Sequence, residues 1–272
     1  MTQPSHDIVE YYERFAEEHR LAAGEGQLEF ARTQEILIGL LPPPPARIID
    51  VGGGAGVYST WLAARGYEVH LVDASARLVD EARRRNAGAE KPIASFTVGD
   101  ARDLHLSDSY ADAVLVMGPL YHLIDEADRQ RVLAEASRVL ADGGLVAAAG
   151  ISRFASALDG IRSKRAHDPA FVAMRDRDLA DGVHMNPTKH PEYFTTAFFH
   201  KPDDLRRELE DAGFDAVTVV GVEGPGWLMP DFEARWKDPA LRDDMIAVAR
   251  ALEAEPSMIG VSAHLIASGR KP

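Results

Sequence analysis

The chain contains no cysteine, which excludes disulfides, thiolate metal sites and a cysteine nucleophile in one step. No apolar run approaches the ~20 residues that a membrane helix requires. Residues 1–15 carry Asp7, Glu10 and Glu13 where a secretory leader would have a basic start and an apolar stretch, so a cytoplasmic protein is expected. Positive charge is also scarce, with 30 Lys and Arg against 43 Asp and Glu for a net charge of −13. Such a chain repels a phosphate backbone, and nucleic acid is not expected as a partner. The local run Arg83-Arg84-Arg85 reads as the solvated flank of a helix. No H-E-x-x-H pattern occurs, and no catalytic metal is expected.

What the sequence does have is Ile48-Ile49-Asp50-Val51-Gly52-Gly53-Gly54-Ala55-Gly56, an apolar strand running into alternate glycines. Glycine escapes the Cβ penalty at positive φ and lets the backbone approach a ligand closely. A helix from Val57 to Arg65 should follow, with its first N–H groups facing that ligand. Spacing selects among the nucleotide-binding turns. The dinucleotide fingerprint G-x-G-x-x-G fails from Gly52, where the third position is Val57, and from Gly54, where it is Ser59. A P-loop needs Lys followed by Ser or Thr, and none is present. The remaining pattern is acid-x-Gly-x-Gly-x-Gly, with Asp50 at the strand end.

That pattern resembles motif I of the class I S-adenosylmethionine-dependent methyltransferases, and the resemblance continues in order along residues 46–150. The strand Glu68-Val69-His70-Leu71-Val72 ends in Asp73, and the resemblance implies that this acid accepts hydrogen bonds from both ribose hydroxyls. The segment Ser95 to Arg102 matches the family's third-strand pattern, which implies that Asp100 reaches the adenine amino group while Ala101 offers its backbone N–H to the ring. Asp112 to Met117 then opens into Gly118-Pro119-Leu120-Tyr121-His122, where the family places its reacting methyl; Met117 joins Asp50, Gly52, Gly54 and Gly56 among the expected cofactor contacts. The implied fold is α/β and Rossmann-like, a seven-stranded sheet of order 3-2-1-4-5-7-6 with an antiparallel last strand and helices on both faces. The implied cofactor is S-adenosyl-L-methionine, released as S-adenosyl-L-homocysteine. The implied partner is a small-molecule acceptor whose O, N or C atom is methylated, and the chain is expected as a monomer or homodimer. Two alternatives stay open: a nicotinamide-dependent oxidoreductase, disfavoured by the failed third glycine, and a cofactor-binding partner without catalysis.

Four segments are expected. Residues 1–45 form a helical cap, with Ile8, Tyr11, Tyr12 and Phe15 on one stripe of a helix over residues 6–20 and a second helix over 27–41. Residues 46–150 form the cofactor-binding core, in which a helix from Asp125 to Ala141 ends at Gly143 and a fifth strand spans Leu145 to Ala149. Residues 151–200 show weak periodicity and read as an irregular cap over the pocket. Residues 201–272 return to the core, with a helix starting at Lys201-Pro202, a strand over 216–222, a short helix around 243–253 and a last strand over 261–267.

Proton-transfer candidates are His122, just after the fourth strand, Glu223 at the end of the sixth, and His200 beside the insertion. Tyr11 is expected at the cofactor by resemblance to small-molecule members of the family, in which an N-terminal helix folds over the ligand. Phe15, Tyr193, Phe198, Phe199, Trp227 and Trp236 are candidates for an apolar acceptor pocket.

Overall fold

A computed structural model describes residues 17–272. Tyr11, Tyr12 and Phe15 lie outside the described residues. The chain divides into two compact units, of which one comprises Leu37–Ala149, Arg206–Thr218 and Ala267–Pro272. The other comprises the described residues up to Ile36 together with Gly150–Leu205 and Val219–Ile266.

In the first unit, β1 (Arg47–Val51), β2 (Glu68–Asp73), β3 (Ser95–Val98), β4 (Ala111–Val116) and the start of β5 (Leu140–Ser152) make a parallel sheet of order β3-β2-β1-β4-β5. Its strands are nearly continuous apolar runs because helices cover both faces of such a sheet. Ile48, Ile49, Val69, Leu71, Val114 and Leu115 are all fully buried. Between β1 and β2 lies α2 (Val57–Ala64), between β2 and β3 lies α3 (Ala76–Asn86), and between β4 and β5 lie α4 (Pro119–His122) and α5 (Glu126–Val139), while α1 (Gly26–Leu40) precedes the sheet. Each turn from strand to helix therefore opens at the carboxyl edge of the sheet, where ligands bind in open α/β folds.

The last strands close the order that the resemblance implied. β9 (His264–Arg270) pairs with both β5 and β8 (Asp215–Gly221). Its partners on β5 rise from Gly143 to Ser152 as its own numbers fall from Lys271 to Ala263, so it runs antiparallel. Among the described residues the sheet nonetheless has nine strands, two more than the seven expected. The additional pair is β6 (Val183–His184) and β7 (Ala197–His200), antiparallel to each other, with β7 parallel to the end of β5 through Ile151↔Phe199 and Ser152↔His200.

Three expectations change. The helix over 125–141 stops at Val139 and Gly143 does not end it: buried Leu140 is already extended and paired with Ala111, which draws the chain into β5 before the glycine is reached. The last strand starts at His264, because residues 259–261 form a 3-10 turn whose Val261 carbonyl accepts from Trp227 Nε1 at 2.9 Å. Residues 151–200 are not irregular. They carry α6 (Ala155–Arg162), α7 (Pro169–Asp181), β6 and β7, and the chain continues through α8 (Pro202–Asp211), α9 (Phe232–Lys237) and α10 (Pro239–Leu252).

Candidate functional site

β1 delivers Asp50 fully buried beneath the glycine turn, where Ser59 Oγ donates to its Oδ2 at 2.6 Å. Its Oδ1 has no hydrogen-bond partner among the described residues. A Cβ on Gly53 would fall 2.8 Å from Asp50 Oδ2, so the carboxyl packs directly under the loop. Burial pushes Asp50 up from 3.8 to about 6 against the opposing Ser59 hydrogen bond, and the nearby Asp73 charge pushes the same way.

The sign of that shift sets a pH test. From about pH 4 to 6 the native protein holds a proton that the unfolded chain has released, so this residue's contribution falls as pH rises and becomes a cost of about 3 kcal/mol above pH 6. Asp50→Asn removes the charge and keeps an acceptor for Ser59. Urea unfolding should therefore show the variant gaining on the parent between pH 4.5 and 7.5; an unchanged difference would show that Asp50 does not titrate in that window.

The loop above Asp50 holds φ of +75° at Gly52, +54° at Gly54 and +76° at Gly56. Gly52 donates to Val72 O at 2.8 Å, and a Cβ there would strike Pro119 Cδ at 2.5 Å. Gly54 is different. Among the described residues, a Cβ on it would meet only Leu78 Cδ1, at 3.9 Å, so they leave the loop's crest open. Gly56 caps α2 without a side-chain hydrogen bond, and in the first turn of α2 the Ser59 backbone N–H is turned to Asp50.

At the end of β2, Asp73 accepts from Gly54 N through Oδ2 and from Ser75 N through Oδ1, both at 2.8 Å. Helix α3 is capped by Ser75, not Asp73. The Asp73 carboxylate is thus held beside the crest of the loop with a second lone pair left on each oxygen. Burial raises its pKa, outweighing the hydrogen bonds from Ser75 and Gly54. After β3, Asp100 and Ala101 are half-buried, and Asp100 is gripped by Arg102. The neighbouring Asp103 is exposed and 3.9 Å from His105. Met117 follows β4, its N–H on Val51 O at 3.3 Å and its carbonyl accepting from Tyr121 Oη at 3.0 Å. His122 ends α4, half-buried, with its ring 4.7 Å from that of Tyr121.

The first unit thus contains Asp50, Gly52, Gly54, Gly56, Asp73, Asp100, Ala101, Met117 and His122. His200 and Glu223 belong to the second unit, and Tyr11 lies outside the described residues. His200 is fully buried against Phe198. Glu223 is buried with both oxygens engaged by His264, one by its backbone N–H and one by Nδ1. Glu29 completes the group, and ligand-capable atoms of the three residues lie within 4.8 Å of one another. Arg20 forks onto Glu29, so the two carboxylates face one guanidinium and one imidazole. Burial pulls His264 down, but Glu29 and Glu223 outweigh it and hold the imidazole above its ordinary value.

The described aromatic candidates all lie in the second unit. Tyr193 Oη donates to Asp168, Phe199 stacks on His184, Trp227 is buried, and Trp236 stacks on Phe232. Sequence reading missed Arg102 and Ser59. The second had a signal, since it falls one helical turn into α2 on the side facing the sheet; the first had none, because nothing in a lone Arg announces a partner two residues back.

A methyltransferase-domain family model matches residues 48–144. An uncharacterized methyltransferase of Mycobacterium tuberculosis is 36% identical over 105 residues, a stretch that covers 39% of this chain and 40% of that protein. The ubiquinone/menaquinone biosynthesis C-methyltransferase UbiE of Acidiphilium cryptum is 36% identical over 203 residues, covering 69% of this chain and 74% of the relative. The structure of an S-adenosylmethionine-dependent methyltransferase from Mesorhizobium loti superposes with a TM-score of 0.59 at 21% identity, covering 89% of this chain and 99% of that one. No helix among the described residues is long and apolar enough to cross a membrane.

Proposed function

Because the chain belongs to the class I S-adenosylmethionine-dependent methyltransferases, we propose that it holds S-adenosylmethionine on its glycine loop and methylates a small-molecule acceptor. The observation that carries this reading is the open crest at Gly54 beside the Asp73 carboxylate. Gly52, Gly54 and Gly56 shape the cradle, Asp73 takes the ribose hydroxyls, and Asp100 with Ala101 takes the adenine. Met117 flanks the ligand. Asp50 braces the loop from below, where it is fully buried. The nicotinamide alternative has no place in this family.

The bound cofactor supplies an already activated methyl carbon. The protein's task is therefore chiefly proximity and orientation, worth up to ~7–11 kcal/mol in favourable systems. A hydroxyl or ammonium acceptor must also lose a proton, which a positioned base accelerates by about 10²–10⁴-fold. We assign that role to His122, which follows β4 in the same unit as the glycine loop. Glu223 is a weaker candidate because both its oxygens are held by His264, and His200 is fully buried. The net charge of −13 favours a neutral or cationic diffusible acceptor over a polyanion.

Native mass spectrometry of the purified chain with added S-adenosylhomocysteine or NAD tests the cofactor, and only the first should bind. Metabolite extracts incubated with methyl-labelled cofactor then test transfer. Tight S-adenosylhomocysteine binding with no labelled product from any extract would favour a cofactor-binding partner without catalysis. We further propose that residues 151–200 contribute to acceptor selection. Slower hydrogen exchange in that segment on S-adenosylhomocysteine binding is the expected sign, and unchanged exchange would return it to a packing role.

A further inference from the structure

Among the described residues, Arg102 grips the Asp100 carboxylate through four hydrogen bonds. Its Oδ1 accepts from Arg102 N at 2.9 Å and from Nε at 3.0 Å, and its Oδ2 accepts from Nε at 3.2 Å and from Nη2 at 2.6 Å. The remaining guanidinium nitrogen, Nη1, donates to Asp128 Oδ2 on α5 at 2.8 Å. The three side chains differ in exposure: 8% for Arg102, 19% for Asp128 and 36% for Asp100. A ligand arriving from solvent therefore meets the carboxylate and not the guanidinium behind it.

We infer that Arg102 is a positioning residue for base recognition: forked onto Asp100 and anchored to α5 through Asp128, it fixes the carboxylate as an acceptor-only edge that selects a 6-amino purine over a 6-oxo purine. This rests on the proposal that Asp100 faces the adenine. A carboxylate that can turn or take up a proton offers a donor to a 6-oxo base, whereas one locked in its ionised form presents only lone pairs. The planar fork of arginine supplies the orientation, which a lysine point charge does not. The Arg102 hydrogen bonds also hold the Asp100 carboxyl below its ordinary value, against the opposing effect of burial. Asp128 matters because an arginine tied only to a residue two positions away would move with it; the bond to α5 references the fork to the sheet's own helix layer.

The test is calorimetric titration of the full chain with S-adenosylhomocysteine and with its 6-oxo congener, S-inosylhomocysteine. The parent protein should prefer the adenine compound by about a hundredfold, the scale of one charge-assisted hydrogen bond replaced by an acceptor-to-acceptor clash. Arg102→Gln should bring the ratio to within about threefold while S-adenosylhomocysteine itself weakens less than the ratio changes. Asp128→Ala removes the anchor, along with an exposed contact to Arg131, keeps the fork on Asp100, and should lower the ratio part of the way; it serves also if Arg102→Gln does not fold. A structural role alone would weaken both ligands together and leave the ratio where it was, and that result in either folded variant overturns the inference while the cofactor assignment stands. Failure of the parent protein to bind S-adenosylhomocysteine would overturn the cofactor assignment itself, and the inference with it.

Discussion

Gly54→Val is expected to abolish S-adenosylhomocysteine binding in a protein that still folds. The reason is the asymmetry within the glycine loop. A side chain at Gly52 collides with Pro119 and one at Gly53 with Asp50, so substitutions there damage the protein directly. Among the described residues, a side chain at Gly54 meets only Leu78 Cδ1, at 3.9 Å, and otherwise projects into the space assigned to the ligand. The backbone cost is that of placing an L-residue at φ +54°, about 1–2 kcal/mol. Gly88→Val is the matched control, since Gly88 also holds positive φ, at +80°, with nothing within 4 Å of a Cβ. Both variants should lose comparable thermal stability, and only Gly54→Val should lose binding by more than about a thousandfold. If Gly54→Val binds as the parent does, the crest of the loop is not the cradle.

The glycine motif was legible because its chemistry is local. Gly52, Gly54 and Gly56 are read from spacing alone, and the structure puts all three at positive φ. The strands β1, β2, β4 and the middle of β5 were legible for a related reason: a sheet buried on both faces needs nearly continuous apolar runs. The insertion was not legible, and α7 shows why. Its buried face carries Phe171, Met174 and Asp178, so a charged residue occupies a core position and spoils the apolar period. Asp178 is tolerated there because Ser156 Oγ donates to it at 2.6 Å and His184 Nδ1 lies 2.9 Å away, partners that no spacing rule names. The ends of α7 were nevertheless written in the sequence. Asp168-Pro169 opens it with a cap and a proline in its first turn, and Gly182 closes it at φ +81°. The same Asp-Pro signal, Asp238-Pro239, opens α10. Weak periodicity between strong caps therefore marked a helix with a polar buried face, not a loop. Partnerships such as Arg102 with Asp128 were beyond reach because they join separate elements, and only the packing of α5 against the loop after β3 defines them.

Asp73→Ala should separate binding from stability more cleanly than any other single change. The carboxylate is bound by Gly54 N and Ser75 N, yet burial raises its pKa despite both bonds. A carboxyl whose folded pKa is raised is disfavoured in its ionised form, so above that value it costs the native state stability, and its removal gives some of that cost back. The two lost backbone hydrogen bonds oppose this gain, and the net change in the unfolding midpoint should be small. Binding is another matter. Two charge-assisted hydrogen bonds to the ribose, at ~1.5–3 kcal/mol each, correspond to a loss of at least about a hundredfold in affinity. The pH dependence adds an independent mark. Acceptance from two hydroxyls requires the ionised carboxylate, so the parent's affinity for S-adenosylhomocysteine should fall as pH is lowered through the Asp73 titration, while the already weak binding of Asp73→Ala should not follow that titration. A variant with parental affinity by calorimetry, or one that reproduces the parent's acid dependence, would remove Asp73 from the ribose and leave it as a tie between β2 and the glycine loop.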